Sequence, residues 1–468
     1  MEQLGLRLIK DGIINERQVE LALQRQQQHG GRLGENLIAL GFITEEDIKS
    51  AFQAQPPPPQ TVEETGLDIS FIAELALKHI LFMGEFRMSD LSEQIKLPVS
   101  IVEQALELLR RDKFVEVKGG TGYMPSSYTF KISETGKNHG TELMELCRYV
   151  GPAPVTLDDY REMVGRQTVK SILIPEEDVK KGFSHLIVRP NILEMIGPAV
   201  SSGRAIFIYG PPGNGKTAIA ETVGKILPAT IYIPFALTVG GQIITVYDPV
   251  SHVPAQGSDA ETADQRWLLI KRPVVMTGGE LVLRMLDLEF NSISKHYEAP
   301  LQMKANNGLF IVDDFGRQQI EPQQLLNRWI VPLDRGVDFM SLHTGMKFSI
   351  PFDMVIIFST NMAPEKLVDE AFLRRIQYKI NIDHPTEEDY RAIFKKVCES
   401  NGIVFSDECF DYLVSNYYRK LGVHFNACHP RDLVDQIVVR ARYNHRKPEM
   451  TKVNLDAAWA CYYVHFPG

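Results

Sequence analysis

The stretch that most constrains this chain is Ala205-Ile206-Phe207-Ile208-Tyr209, followed at once by Gly210-Pro211-Pro212-Gly213-Asn214-Gly215-Lys216-Thr217. Five apolar residues in a row read as a buried strand. The next eight satisfy G-x-x-x-x-G-K-T, and a helix-forming run starts at Ala218, the strand–loop–helix order that a phosphate loop needs. Its glycines let backbone N–H groups curl around phosphates. Lys216 is placed to reach the β- and γ-phosphates of ATP, and the Thr217 hydroxyl to bind Mg2+.

Later elements extend the pattern. Leu309-Phe310-Ile311-Val312 is an apolar strand ending in Asp313 and Asp314. Asp313 is expected to hold Mg2+, directly or through water, and Asp314 to orient and polarise an attacking water. Met354 to Thr360 reads as another buried strand, with Asn361 at its polar tip. Asp369-Glu370-Ala371-Phe372-Leu373-Arg374-Arg375-Ile376 and His429-Pro430-Arg431-Asp432-Leu433 follow. In this order, residues ~175–468 resemble an AAA+ ATPase, closest in flavour to the MoxR-like group. The resemblance implies a parallel sheet flanked by helices, a helical lid, and a ring that is usually a hexamer. It further implies that Asn361 senses the γ-phosphate or the water, and that Arg374 or Arg375 completes the neighbouring subunit's site. Arg431 would touch the γ-phosphate from the lid. Many relatives carry Glu where this chain has Asp314, and the shorter side chain leaves hydrolysis less assured than binding.

Between the phosphate loop and the acid-ended strand, Ile231 to Tyr247 reads as a hairpin turning at Gly240-Gly241, then a loop through Asp248 to His252. In ring ATPases such loops often face the pore, which makes Tyr247 and His252 candidates for gripping substrate. The alternative is an ordinary hairpin tip. No zinc spacing and no HNH, Ser-His-Asp or Cys-His constellation points to a fused protease or nuclease.

The front of the chain is duplicated. Residues 4–26 align with 33–55 at ten identical positions of twenty-three, always at an offset of 29. Each copy reads as a short helix, a glycine stop and a second helix, with Asn15 and Thr44 as N-caps. The segments 3–26 and 32–55 resemble the tandem motif of the MshEN type, the N-terminal domain of type II secretion and pilus ATPases. That resemblance implies a cyclic di-GMP site on Gln3, Leu4, Gly5, Gln26, Arg32, Leu33, Gly34 and Gln55. Helix starts attract phosphate, and Arg pairs with it or stacks on guanine. Gln3 stands where the family has Arg, so one cation is missing. The alternative is a protein-docking module.

Pro56 to Pro59 make a stiff spacer. Beyond it, helical faces at Ile72, Leu75, Ala76 and Ile80, at Ser89–Ile95 and at Ser100–Arg111 precede two alternating strands at 114–117 and 128–132. Three helices and a hairpin resemble a winged helix-turn-helix, whose third helix often reads DNA. Here that helix carries Glu103, Glu107, Arg110 and Arg111, and 61–150 holds ten basic against fourteen acidic residues. Protein interaction is therefore the expectation over DNA binding.

The expected organisation is multidomain: an all-α repeat domain at 1–55, a linker at 56–62, a winged-helix-like domain at 63–150 and a connector at 151–174. An α/β P-loop core at 175–383 and a helical lid at 384–468 complete it. The whole chain of 468 residues has a net charge of −9 and 44% hydrophobic residues, which excludes a bulk electrostatic grip on nucleic acid and a disordered protein. Five cysteines without a C-x-x-C pair fit free thiols. No apolar run reaches the ~18 residues of a membrane span. The N-terminus lacks a signal pattern, so the chain is expected to be cytoplasmic and uncleaved.

Three functions follow as expectations. The first is an Mg-ATP-dependent ring that remodels a protein partner under cyclic di-GMP control. The second is a nucleotide-switched scaffold of a secretion, pilus or polysaccharide machine with slow hydrolysis. The third is a winged-helix DNA-binding regulator.

Overall fold

The computed structural model describes residues 8–9, 13–31, 33–44, 55–120, 128–255 and 263–462. Its centre is a five-stranded parallel sheet in the order Val274–Thr277, Leu309–Val312, Val355–Thr360, Ile206–Tyr209, Tyr378–Asn381. Side chains alternate across these strands. Ile206, Ile208, Leu309, Ile311, Val355 and Ile357 pack on one face, with helix Pro190–Ser201 and the phosphate-loop helix Lys216–Ile226. Phe207, Phe310, Val312, Ile356 and Phe358 pack on the other. There Trp329 of helix Pro322–Arg335 stands edge-on to Phe310. Burial on both faces explains why these strands read as unbroken apolar runs.

A second five-stranded sheet was only partly visible in the sequence. Its order is Glu289–Asn291, His296–Glu298, Gln242–Thr245, Ala236–Val239, Val155–Thr156. The expected turn joins Ala236–Val239 to Gln242–Thr245, with Gly240 at φ 55° and Gly241 at φ 75°, as a two-residue hairpin of this hand requires. The segment 151–174 is more than a connector. It supplies the edge strand of this sheet and the helix Leu157–Arg166, whose Tyr160, Met163 and Val164 enter its core.

Of the two readings of the loop that carries Tyr247 and His252, the packing of their rings favours the ordinary hairpin tip. His252 is 1% exposed, accepts from the Asp248 N–H at 2.9 Å and meets the Lys304 carbonyl at 2.9 Å. Tyr247 stacks against His252 and meets Phe235 edge-on. Both rings are spent on folding the loop back onto its own domain.

Asp353 ties the two sheets together. Its carboxylate accepts from the Thr168 hydroxyl at 2.7 Å, the Val169 N–H at 3.0 Å and the Asn307 amide at 2.6 Å. Asn306 donates to Tyr160 Oη at 2.8 Å, and Arg272 donates to the Gln167 carbonyl at 3.0 Å. Burial pushes the Arg272 guanidinium down to about 10, with Asp353 opposing the shift.

Ahead of these sheets, helices Ile69–Met83, Met88–Ile95 and Val99–Arg111 pack with an antiparallel sheet of Glu85–Arg87, Tyr128–Ile132 and Val115–Gly120. Their core includes Ala236 and Ile243 of the second sheet, so the unit is seated on it. At the front, Asn15 caps helix Glu16–His29 through a reciprocal pair with Gln18. Leu8, Ile14, Ala22, Leu33, Leu37 and Ile43 form one small core. The expected site residues Gln3, Leu4, Gly5 and Arg32 lie outside the described residues. The C-terminal segment expected to be the lid packs helices Glu387–Ser400, Asp407–Leu413, His429–Tyr443 and Lys452–Tyr462 around Tyr390, Phe394 and Trp459.

A buried ion pair marks where the front meets the sheets. The Arg266 guanidinium, 4% exposed, meets both Asp264 oxygens at 2.8–3.1 Å and donates to the Thr65 carbonyl at 3.0 Å. The Asp264 N–H donates to the Pro56 carbonyl at 2.8 Å. Breaking one partner of such a pair costs about 3–5 kcal/mol, whereas apolar replacement of both is often near neutral. Arg266→Met is therefore expected to lower the denaturant midpoint far more than Asp264→Leu with Arg266→Met together. Equal losses would show that the charges do not act as a pair.

Candidate nucleotide site

The register of the central sheet builds the site. Tyr209 lies opposite Thr360 on one side and Asn381 on the other, and Val312 lies opposite Phe358. The residues that follow these strands therefore emerge at one edge. They are the phosphate loop, the Asp313-Asp314 pair and Asn361.

The loop has the backbone its glycines allow. Gly210, Gly213 and Gly215 adopt φ of 140°, 76° and 83°. A Cβ on Gly210 would stand 2.1 Å from the Ile382 carbonyl oxygen, so no other residue fits there. The loop leads directly into helix Lys216–Ile226, aiming that helix's free N–H groups at the concavity. Lys216 folds back on the loop, donating to the Gly210 carbonyl at 3.0 Å and the Pro211 carbonyl at 2.9 Å. Burial holds its ammonium below the ordinary lysine range, and Asp314 and Asp313 oppose that shift.

The Thr217 hydroxyl meets both Asp313 oxygens, at 3.1 and 2.9 Å. One hydroxyl and one carboxylate suit Mg2+, which keeps several waters and takes its remaining oxygens from substrate phosphates. Asp314 sits at φ 48° and accepts from Asn361 Nδ2 at 3.2 Å. The left-handed backbone turns this second acid away from Thr217 and toward Asn361. The sequence motif gives no sign of that turn.

The structure separates the two arginines. Arg375 is pinned to Asp334 at 3.0 Å with its side chain 22% exposed, whereas Arg374 is exposed. Arg431 projects from the first turn of helix His429–Tyr443 with its side chain 72% exposed and 3.7 Å from Asp432. Sequence reasoning missed what the foot of this helix does. The Cys428 N–H donates to the Gly213 carbonyl at 2.8 Å, and the Ala427 N–H donates to Asn214 Oδ1 at 3.0 Å. Of the front-domain candidates, Leu33 and Gly34 are buried at a helix start. Gln26 donates to the Gly31 carbonyl at 2.8 Å. Gln55 immediately precedes the proline spacer.

Residues 386–461 match a family described as a domain of unknown function (DUF8689). The chain is 24% identical over 273 residues to the vesicular-fusion protein sec18 of Schizosaccharomyces pombe, covering 57% of this chain and 29% of that one. It is 21% identical over 282 residues to the Lon protease of Chlamydia pneumoniae, covering 57% and 30%. These matches point to an AAA+ ATPase. The chain spans about 30% of the length of the curated relatives it matches. Among solved structures, NtrX from Brucella abortus in complex with ADP aligns at a TM-score of 0.37 and 16% identity, over 62% of this chain and 59% of that one. Domain III of DnaA from Thermotoga maritima aligns at 0.35 and 14%, over 60% and 97%. The DUF8689 match coincides with the C-terminal helical bundle.

His429 links the lid's stability to pH. Burial pushes its imidazole down to about 4, with Asp432 opposing and His384 adding to the shift. Between about pH 4 and the ordinary 6.5 the unfolded chain binds a proton that the folded lid refuses. This contribution is thus complete above pH 6.5 and is lost as pH falls toward 4. The protein's thermal midpoint is expected to drop across this window, and His429→Gln to flatten the drop. An unchanged slope in the variant would assign it to His79 and His252, which burial also lowers.

Proposed function

We propose that this chain is an Mg-ATP-dependent AAA+ ATPase that remodels or assembles a protein partner. The observation that supports this most is the pairing of Thr217 with Asp313 beside the pairing of Asp314 with Asn361, at the ends of neighbouring strands. The loop amides and Lys216 bind the phosphates. Thr217 and Asp313 would hold Mg2+, which would neutralise phosphate charge and orient the γ-phosphoryl group. Asn361 fixes the Asp314 carboxylate, which orients a water for in-line attack and draws a proton from it.

Arg374 is the better finger for a neighbouring subunit, because Arg375 is committed to Asp334. Arg431, exposed near the loop-facing foot of the lid helix, reaches the γ-phosphate when the lid closes. Lys216→Ala is expected to reduce phosphate release to background. Arg374→Ala should lower kcat by about 10³-fold or more while ATP binding survives, and Arg375→Ala should cost far less. Equal loss in the two arginine variants would refute the assignment, and unchanged turnover in Lys216→Ala would refute the site.

The runner-up is a nucleotide-switched scaffold with slow hydrolysis, favoured by the short Asp314. Measured turnover separates the two readings.

The front repeat is the proposed regulator, with cyclic di-GMP as its ligand. The Gln26–Gly31 hydrogen bond folds the glutamine that ends the first copy onto the last residue of the spacer before the second. That closeness supports one ligand reaching both copies. At a hundredfold above Kd a ligand adds ~2.7 kcal/mol to the domain it binds, a thermal shift of several degrees. Arg32→Ala should abolish that shift. No shift in the parent protein would leave 1–55 as a protein-docking module.

A further inference from the structure

The phosphate loop is gripped from behind by the lid. Two consecutive lid amides reach it, Ala427 N–H to Asn214 Oδ1 at 3.0 Å and Cys428 N–H to the Gly213 carbonyl at 2.8 Å. The Asn214 amide is oriented without ambiguity, because a backbone N–H can only donate and so must face the oxygen. Asn214 is 6% exposed although it lies in a loop built to meet a ligand. A Cβ on Gly213 would lie 2.6 Å from Cys428 Sγ, so the lid presses directly on the loop.

The foot that makes these contacts cannot yield locally. His429 Nε2 faces Asn426 Nδ2 at 3.2 Å, and Asn426 Oδ1 faces His384 Nδ1 at 2.8 Å. A neutral imidazole has one donor nitrogen. With Nε2 accepting, Nδ1 donates to Tyr418 Oη at 3.0 Å, and Tyr418 Oη lies 2.6 Å from Tyr390 Oη. Tyr418 belongs to a six-residue π-helical segment, Val414–Arg419, in the lid core. Displacing Asn214 therefore moves the lid helix as a body.

We propose that Asn214 is a positioning residue that couples the phosphate loop to the lid, so that the conformation of the loop sets how firmly the lid is docked. This inference rests on the nucleotide-site reading above. The thiol of Cys428 reports docking, because it sits against Gly213 and is half-buried.

The test uses the full chain. Maleimide labelling of Cys428, followed by peptide mass spectrometry, is compared for the parent protein, Asn214→Ala and Asn214→Asp, with and without a non-hydrolysable ATP analogue. Asn214→Ala removes the acceptor and is expected to label about fivefold faster without nucleotide, the size of one net hydrogen bond. Its KM for ATP should rise more than its kcat falls. Asn214→Asp keeps the acceptor oxygen, so its labelling without nucleotide should stay slow even though a carboxylate in the loop weakens ATP binding. Parent-like labelling in Asn214→Ala, or equally fast labelling in Asn214→Asp, would overturn the coupling. Because the deciding comparison is made without nucleotide, loss of the ATP-site reading would show separately, as an absent response to the analogue in the parent protein.

Discussion

Everything at the candidate site depends on the parallel pairing of Ile206–Tyr209 with its two neighbours. Register sets Tyr209 level with Thr360 and Asn381, and a slip of one residue would turn every side chain to the wrong face. With that register fixed, the loop after Tyr209 and the tip after Thr360 share one edge of the sheet. The acids after Val312 join them there. The site is the rim of a sheet whose two faces are dry, and its rigidity comes from the aromatic and aliphatic packing beneath it.

The front half of the chain is carried by the same body rather than tethered beside it. Asp353 and Asn307 lock the end of helix Leu157–Arg166, through the Val164 carbonyl, and the Thr168-Val169 turn to the strand that leads to Asn361. The Arg266–Asp264 pair holds the linker carbonyl of Pro56 and the Thr65 carbonyl just beyond the linker against the strand Trp267–Lys271. That strand pairs with Thr230–Pro234, which follows the phosphate-loop helix. A continuous path of packed and hydrogen-bonded backbone thus runs from the linker to the loop, while the lid reaches the same loop from the opposite end of the chain.

Much of this was legible, and the reasons are particular. Long apolar runs such as Leu309–Val312 and Val355–Thr360 announce strands buried on both faces. The Gly-Gly turn at 240–241 and the Asn15 cap carry local signals that do not depend on distant partners. The second sheet was harder to see. Its strands Glu289–Asn291 and His296–Glu298 are only three residues long, and the edge strand Val155–Thr156 comes from far earlier in the chain. Tyr247 and His252 looked like a loop tip because nothing local shows that His252 will be buried against the Lys304 carbonyl.

The sequence by itself determined the chemistry at the site. The spacing G-x-x-x-x-G-K-T, the acids ending one strand and the Asn ending another are local patterns, and short-range sterics and hydrogen bonding suffice to fix what each can do. Only the tertiary structure decided which residues serve it. It separated an exposed Arg374 from an Arg375 held by Asp334, turned Asp314 toward Asn361, and set Asn214 against the Ala427 amide more than two hundred residues away. Those outcomes depend on pairings between distant segments, whose geometry is fixed only when the sheets close and the buried polar groups find their partners.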